Sequence, residues 1–166
     1  KNDNKNSSFK VGDIYTPIHK EIFISIKPDH DFKTKKNKLA IGQLKNKKWS
    51  YINSSWENEK LKGAIKSFGV FTIIKDEIKP TINAVNLNED MRNQKSIKFI
   101  VKDNFSGVDY FSGTLNGDWV LMEYDAKNNL IEHFFEGPIT NKKQKLTLSV
   151  RDGLGNEKKQ DYYFKR

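Results

Sequence analysis

The residues able to do chemistry are few. His19, His30 and His133 are the only imidazoles in 166 residues, and cysteine is absent. A metal centre needs several such ligands converging on one point. None of the three histidines is followed by Asp four residues on, and no two lie two apart. His30 sits between Asp29 and Asp31, an arrangement that reads as a solvated turn after Pro28. Carboxylate pairs occur at Glu57/Glu59 and Glu132/Glu136, but without a partnering nucleophile pattern. Glu123 and His133 flank the loop from Ala126 to Asn129. If they face each other across a hairpin, a cross-strand ion pair explains the placement as well as a general base does. Neither a nucleophile elbow nor a phosphate loop is present. The segment is therefore expected not to be an enzyme.

Two other constellations would bind rather than react. Asp103, Asp109, Asp152 and Asn156 would converge at one end of a domain, and Ca²⁺ seeks several oxygen ligands. The spacing lacks the acid density of a dedicated calcium loop. An Asp that closes a turn by accepting backbone N–H groups explains the same residues. No cofactor is expected, calcium being the one candidate. The second constellation joins Trp49, Tyr51 and Trp56 to Lys35, Lys36, Lys47 and Lys48. Aromatic faces stack on sugars, and a lysine run attracts acidic polymers. Alternation along a strand puts Trp49 and Tyr51 on one face, which is either core or an exposed pair. Of the 30 basic residues 27 are Lys, and only Arg92, Arg151 and Arg166 are Arg. A phosphate-gripping protein invests in Arg, whose planar fork binds oxyanions bidentately. Nucleic acid is accordingly not expected as a partner; an envelope glycan or other anionic polymer is the alternative to a protein partner.

These residues need elements to carry them. Only four alanines occur (Ala40, Ala64, Ala84, Ala126) against 20 aromatics, and β-branched and aromatic residues favour strands. Apolar residues alternate in short runs: Ile22, Ile24 and Ile26; Ile97, Phe99 and Val101; Leu146, Leu148 and Val150. That is a strand period. Further strands are predicted over 9–15, 38–44, 48–52, 60–66, 69–75, 80–87, 109–115, 118–125, 129–135 and 158–165. Helix is expected to be almost absent. So many strands call for two tandem β-sandwiches of the immunoglobulin or fibronectin-III kind. The expected division is a frayed segment over 1–8, a first sandwich over 9–78 and a second over 79–166. The break falls in the polar stretch ending at Pro80. No apolar run approaches the roughly 18 residues of a membrane span. Net charge is +9, and it is lopsided. Residues 1–79 hold 17 basic and 9 acidic residues (+8), whereas residues 80–166 hold 13 and 12 (+1).

The second half holds the sharpest motifs. Asp103-x-x-Ser106-Gly107-Val108 is followed by Leu115-Asn116-Gly117-Asp118-Trp119-Val120-Leu121-Met122-Glu123-Tyr124-Asp125, then by Val150-Arg151-Asp152-x-x-Gly155-Asn156. Asn116-Gly117 is the favoured type I′ hairpin pair. The series resembles a bacterial immunoglobulin-like domain. More narrowly, it resembles the C-terminal domains of Bacteroidetes lysostaphin-like zinc metallopeptidases, where a D-x-x-S-G-I turn, an I-D-G-K-W-V-L-x-E-Y-D hairpin and a closing D-x-x-G-N recur in order. The stretch from Phe68 to Ile82 is similar to the junction before that domain, although Lys79 stands where the first proline of a pair is usual. The peptidase does not carry over, because its H-x-x-x-D and H-x-H ligand patterns are missing. The resemblance implies non-catalytic accessory domains of a bacterial cell-envelope or secreted protein. They would dock or space a protein partner or an upstream catalytic domain. The chain begins at Lys1 without a signal peptide and reads as a piece of something longer.

Overall fold

A computed structural model describes residues 7–28 and 36–166. The chain is all-β and divides into two compact units, Lys1–Glu77 and Ile78–Arg166. Among the described residues the helical content is a single 3₁₀ turn at Lys36–Lys38. No helix among them is long and apolar enough to cross a membrane.

The first unit is built from β1 (Phe9–Val11), β2 (Pro17–Ile26), β3 (Leu39–Lys45), β4 (Lys48–Ile52), β5 (Ser54–Glu57), β6 (Lys60–Ser67) and β7 (Gly69–Lys75). They form two antiparallel sheets, β1-β7-β3-β4 and β2-β6-β5. Alternation sends Ile26, Leu39, Ile41, Leu61, Ile65, Phe71 and Ile73 into one buried core, with Ile22 and Ile24 packed against it. Gln43 lies in the same inward row and is buried. Its amide is satisfied by donating to the Ser67 carbonyl at 3.1 Å and the Ser67 hydroxyl at 3.0 Å, as a buried polar group requires. The β3–β4 hairpin turns on Asn46 and Lys47, at φ 49° and 65°. Both central residues are left-handed, which a type I′ turn demands.

The second unit contains β8 (Thr81–Ala84), β9 (Ser96–Lys102), β10 (Val108–Leu115), β11 (Asp118–Val120), β12 (Glu123–Asp125), β13 (Leu130–Phe134), β14 (Lys143–Asp152) and β15 (Glu157–Lys165). Its sheets run β8-β9-β13-β12 and β11-β10-β14-β15. Lettered in chain order, these are A-B-E-D and C′-C-F-G, the immunoglobulin arrangement. Ile97, Phe99 and Val101 from one sheet meet Leu146, Leu148 and Val150 from the other, all fully buried.

The strands depart from expectation in several places; those expected over 9–15 and 80–87 end at Val11 and Ala84. Residues 118–125 are not one strand but two, in opposite sheets, joined by a crossover at Leu121–Met122. The apolar run Val120-Leu121-Met122 breaks the period of two there: Leu121 is exposed while Met122 fills the core. The strand Ser54–Glu57 was not expected, since Ser-Ser-Trp-Glu has no β-branched residue. It pairs with β6 from Ser54↔Gly63 to Glu57↔Lys60.

Candidate functional site

The β3–β4 register decides where the first unit's aromatics point. Ile41 pairs with Ile52, Gly42 with Tyr51 and Leu44 with Trp49. Ile41 is core, so its neighbours Gly42 and Leu44 face away from it. Trp49 and Tyr51 therefore lie on the outer face of the β1-β7-β3-β4 sheet. Trp49 is 38% exposed and Leu44 40%. Gly42 makes the arrangement possible. A Cβ there would lie 2.5 Å from Ile74 Cδ1 and 3.5 Å from Trp49 Cε3, so both side chains rest over bare backbone. Tyr51 is half-buried, and its hydroxyl donates to Asn53 Oδ1 at 3.4 Å.

Lysines gather at the hairpin end of these strands, where Lys45 and Lys48 belong by alternation to the Ile41 and Gln43 row and so leave the sheet on the side opposite Trp49 and Tyr51. Lys45 and Lys48 are directly opposed at the hairpin end, and Lys47 occupies the turn between them. All three are exposed. None has an ion-pair partner among the described residues. An outward indole and phenol can stack against an apolar ring face, and exposed amines at the end of the same hairpin attract a polyanion.

The other residues expected on this surface lie elsewhere. Trp56 pairs with Leu61 on β6, in the opposite sheet, and packs against the core. Its indole Nε1 donates to the Lys36 carbonyl at 2.9 Å, and Lys36 Nζ stands 5.2 Å from the ring centroid. Lys36 and Trp56 thus form a separate structural pair, because the strand alternation that points Trp49 outward points Trp56 inward. Lys35 lies outside the described residues, as do Asp29, His30 and Asp31. Beside β5 a shallow trough of about 490 Å³ is lined by Phe23, Ser55, Glu57 and Lys62. Glu57 and Lys62 neutralise each other at 2.7 Å.

In the second unit the calcium candidates work as turn closures. Asp103 Oδ2 accepts from the N–H groups of Phe105 at 3.0 Å and Gly107 at 2.8 Å. Asp152 Oδ1 accepts from Leu154 N at 2.9 Å and Asn156 N at 2.7 Å, and its Oδ2 accepts from Asn156 Nδ2 at 2.7 Å. Gly107 and Gly155 supply the positive φ (77° and 75°) that these turns need. Gly153 N donates to the Gly107 carbonyl at 3.1 Å, stitching the two turns together. Carboxylate oxygens of Asp103 and Asp152 lie within 4.8 Å of each other. Asp109 does not join them; it is exposed and faces Arg151 at 3.9 Å.

The expected Glu123–His133 pair does not form. Glu123 pairs with Glu132, whose charge is met by Lys98 at 3.4 Å. His133 is buried, with Nδ1 2.9 Å from the Leu121 carbonyl oxygen. The β12–β13 register sets Glu123 opposite Glu132, one residue short of His133, whose side chain points to the other face.

Comparison with known proteins adds one match of sequence. Residues 1–76 match the family model of the Zu5-like domain. No curated protein matches the chain. Among solved structures, the spore cortex lytic enzyme SleM of Clostridium perfringens aligns at 13% identity and a TM-score of 0.35, covering 71% of this chain and 38% of that one. The chain thus spans well under half of that enzyme. The apo expansin of Clavibacter michiganensis aligns at 9% identity and a TM-score of 0.35, covering 88% and 80%. Spatial likeness this slight informs neither fold nor function.

Proposed function

We propose that the chain is a non-catalytic accessory segment of a bacterial cell-envelope or secreted protein, and that its first unit binds an acidic envelope polysaccharide. The observation that carries this is the outward placement of Trp49 and Tyr51 on the hairpin whose tip holds the exposed Lys45, Lys47 and Lys48. A core pair of aromatics would have spoken for a pure spacer. A pyranose ring offers an apolar C–H face to the negative face of an indole. Carboxylates farther along the polymer meet the ammonium groups at the hairpin tip. The near-absence of Arg turns the same surface away from nucleic acid. The second unit, almost neutral, serves as the docking or spacing element, and its motifs support attachment to an upstream lysostaphin-like peptidase.

The test is co-sedimentation of the full chain with purified peptidoglycan carrying acidic polymer, and titration with soluble polygalacturonate against neutral dextran. Trp49→Ala is expected to weaken retention about tenfold, a loss of about 1.4 kcal/mol. Raising salt from 50 to 500 mM should release most of the bound protein, because exposed charges are screened beyond the Debye length. Equal retention of wild type and a Trp49→Ala/Tyr51→Ala variant, or salt-insensitive binding, would refute the proposal.

A further inference from the structure

The crossover that separates β11 from β12 opens a recess of about 280 Å³ in the second unit. Trp119, Leu121 and Phe134 stand at it, 68%, 58% and 47% exposed. Glu123 and Glu136 complete the wall, and buried His133 lines the interior. Large apolar side chains are seldom left in water together without a use. The charge is more telling. Residues 80–166 hold 13 basic residues, yet no Lys or Arg lines this recess. Neither Glu123 nor Glu136 has an ion-pair partner among the described residues. The recess is a locally acidic, aromatic spot on a nearly neutral unit.

His133 adds a third polar group. Facing the Leu121 carbonyl oxygen at 2.9 Å, Nδ1 must carry the ring proton and donate. In the neutral ring Nε2 is then an acceptor, and it makes no hydrogen bond among the described residues. All three polar side chains at the recess can therefore accept, and none of the aromatics carries charge.

We infer that this recess receives a lysine side chain presented by a peptide partner. The ammonium is held between the Glu123 and Glu136 carboxylates over the Trp119 ring, and its methylene stem lies along Leu121 and Phe134. An ammonium over an indole face is attracted by the ring quadrupole. A lysine stem covers apolar surface while its head stays with charge. A neutral sugar would use the indole but leave two carboxylates without counter-charge, and an acidic ligand would be repelled.

The experiment is an NMR titration of the isotope-labelled full chain with the peptide acetyl-Gly-Lys-Gly-amide, following the Trp119 indole N–H, assigned through Trp119→Phe. Saturable shifts centred on Trp119, Phe134 and Glu136 are expected. The same peptide acetylated on the lysine amine should give none. Trp119→Ala should weaken binding roughly fivefold, and Glu123→Gln and Glu136→Gln roughly threefold each. These side chains are exposed, and the spectrum itself reports that each variant stays folded. Equal binding of the acetylated peptide, tighter binding of glucosamine than of the peptide, or indifference of the Glu123→Gln/Glu136→Gln double variant would overturn the assignment. Binding at the first unit plays no part in this readout, so its failure would leave the polysaccharide proposal standing.

Discussion

Replacing Gly113 with Ala should destabilise the second unit without touching any polar group. Gly113 sits on β10, and a Cβ there would lie 2.1 Å from Met122 Cε, 2.9 Å from Cγ and 3.2 Å from Sδ. Carbon atoms pack comfortably at about 3.5–4.0 Å, so Cε must retreat by more than an ångström. A methionine tip can swing aside. Cγ cannot, because it moves only with the first side-chain torsion or with the crossover backbone. Met122 is 7% exposed in a core shared with Ile97, Phe99 and Leu148. Overpacking of this kind costs about 1–3 kcal/mol. For a unit of this size each kcal/mol lowers Tm by about 4–8 °C. Met122→Ala alone opens a cavity and should cost about 2–5 kcal/mol. In the double variant the new methyl occupies part of that cavity, so the combined loss should fall short of the sum by at least about 1 kcal/mol. Calorimetry of the full chain reads both changes, and hydrogen exchange along β9 assigns the transition to the second unit. A Gly113→Ala protein as stable as wild type would refute the reasoning. So would additivity of the two changes within about 0.5 kcal/mol.

Other consequences are as direct. Tyr162 is buried against Phe99 with ring centroids 4.7 Å apart, and its hydroxyl has no hydrogen-bond partner among the described residues. Burial pushes its ionisation up to about 12, while an unfolded phenol ionises near pH ~10. Its contribution is thus complete below that value and is lost as pH climbs toward 12; urea titrations should show Tyr162→Phe to be less alkali-sensitive and no less stable at neutral pH. Lys47 holds φ 65°, so Lys47→Gly should stabilise the first unit by about 1 kcal/mol while weakening polygalacturonate binding about twofold, as separate melting and binding curves would show. Asp152→Ala strands three donors, and denaturant unfolding should record a loss of at least about 2 kcal/mol. A chelator should leave the wild-type melting temperature unchanged, and a fall of several degrees would restore calcium to Asp103 and Asp152.

How far the sequence reaches depends on the range of the interaction concerned. Strand periodicity is local, so the rows of Ile97, Phe99 and Val101 and of Leu146, Leu148 and Val150 were legible, and all six are buried. Turn chemistry is local too. Asn116-Gly117 takes the two positive φ values its residues favour, and Asp103 and Asp152 close their turns on neighbours two to four residues away. The expectation failed where a local pattern was interrupted, at Val120-Leu121-Met122. A signal was nevertheless present, because Trp119 and Leu121 stand two apart, as residues of one exposed face do.

Alternation showed that Trp49 and Tyr51 share a face, but not which face. That choice belongs to β7, whose Phe71 and Ile73 pair with Gln43 and Ile41 and draw that row inward. The partner strand lies some thirty residues along the chain, beyond the reach of any local pattern. The same holds for the lysine-free recess and for the separation of Trp56 from Trp49. Composition and period determined an all-β chain with a basic first half; only the packing of distant strands decided which aromatics meet water and which charges stand beside them.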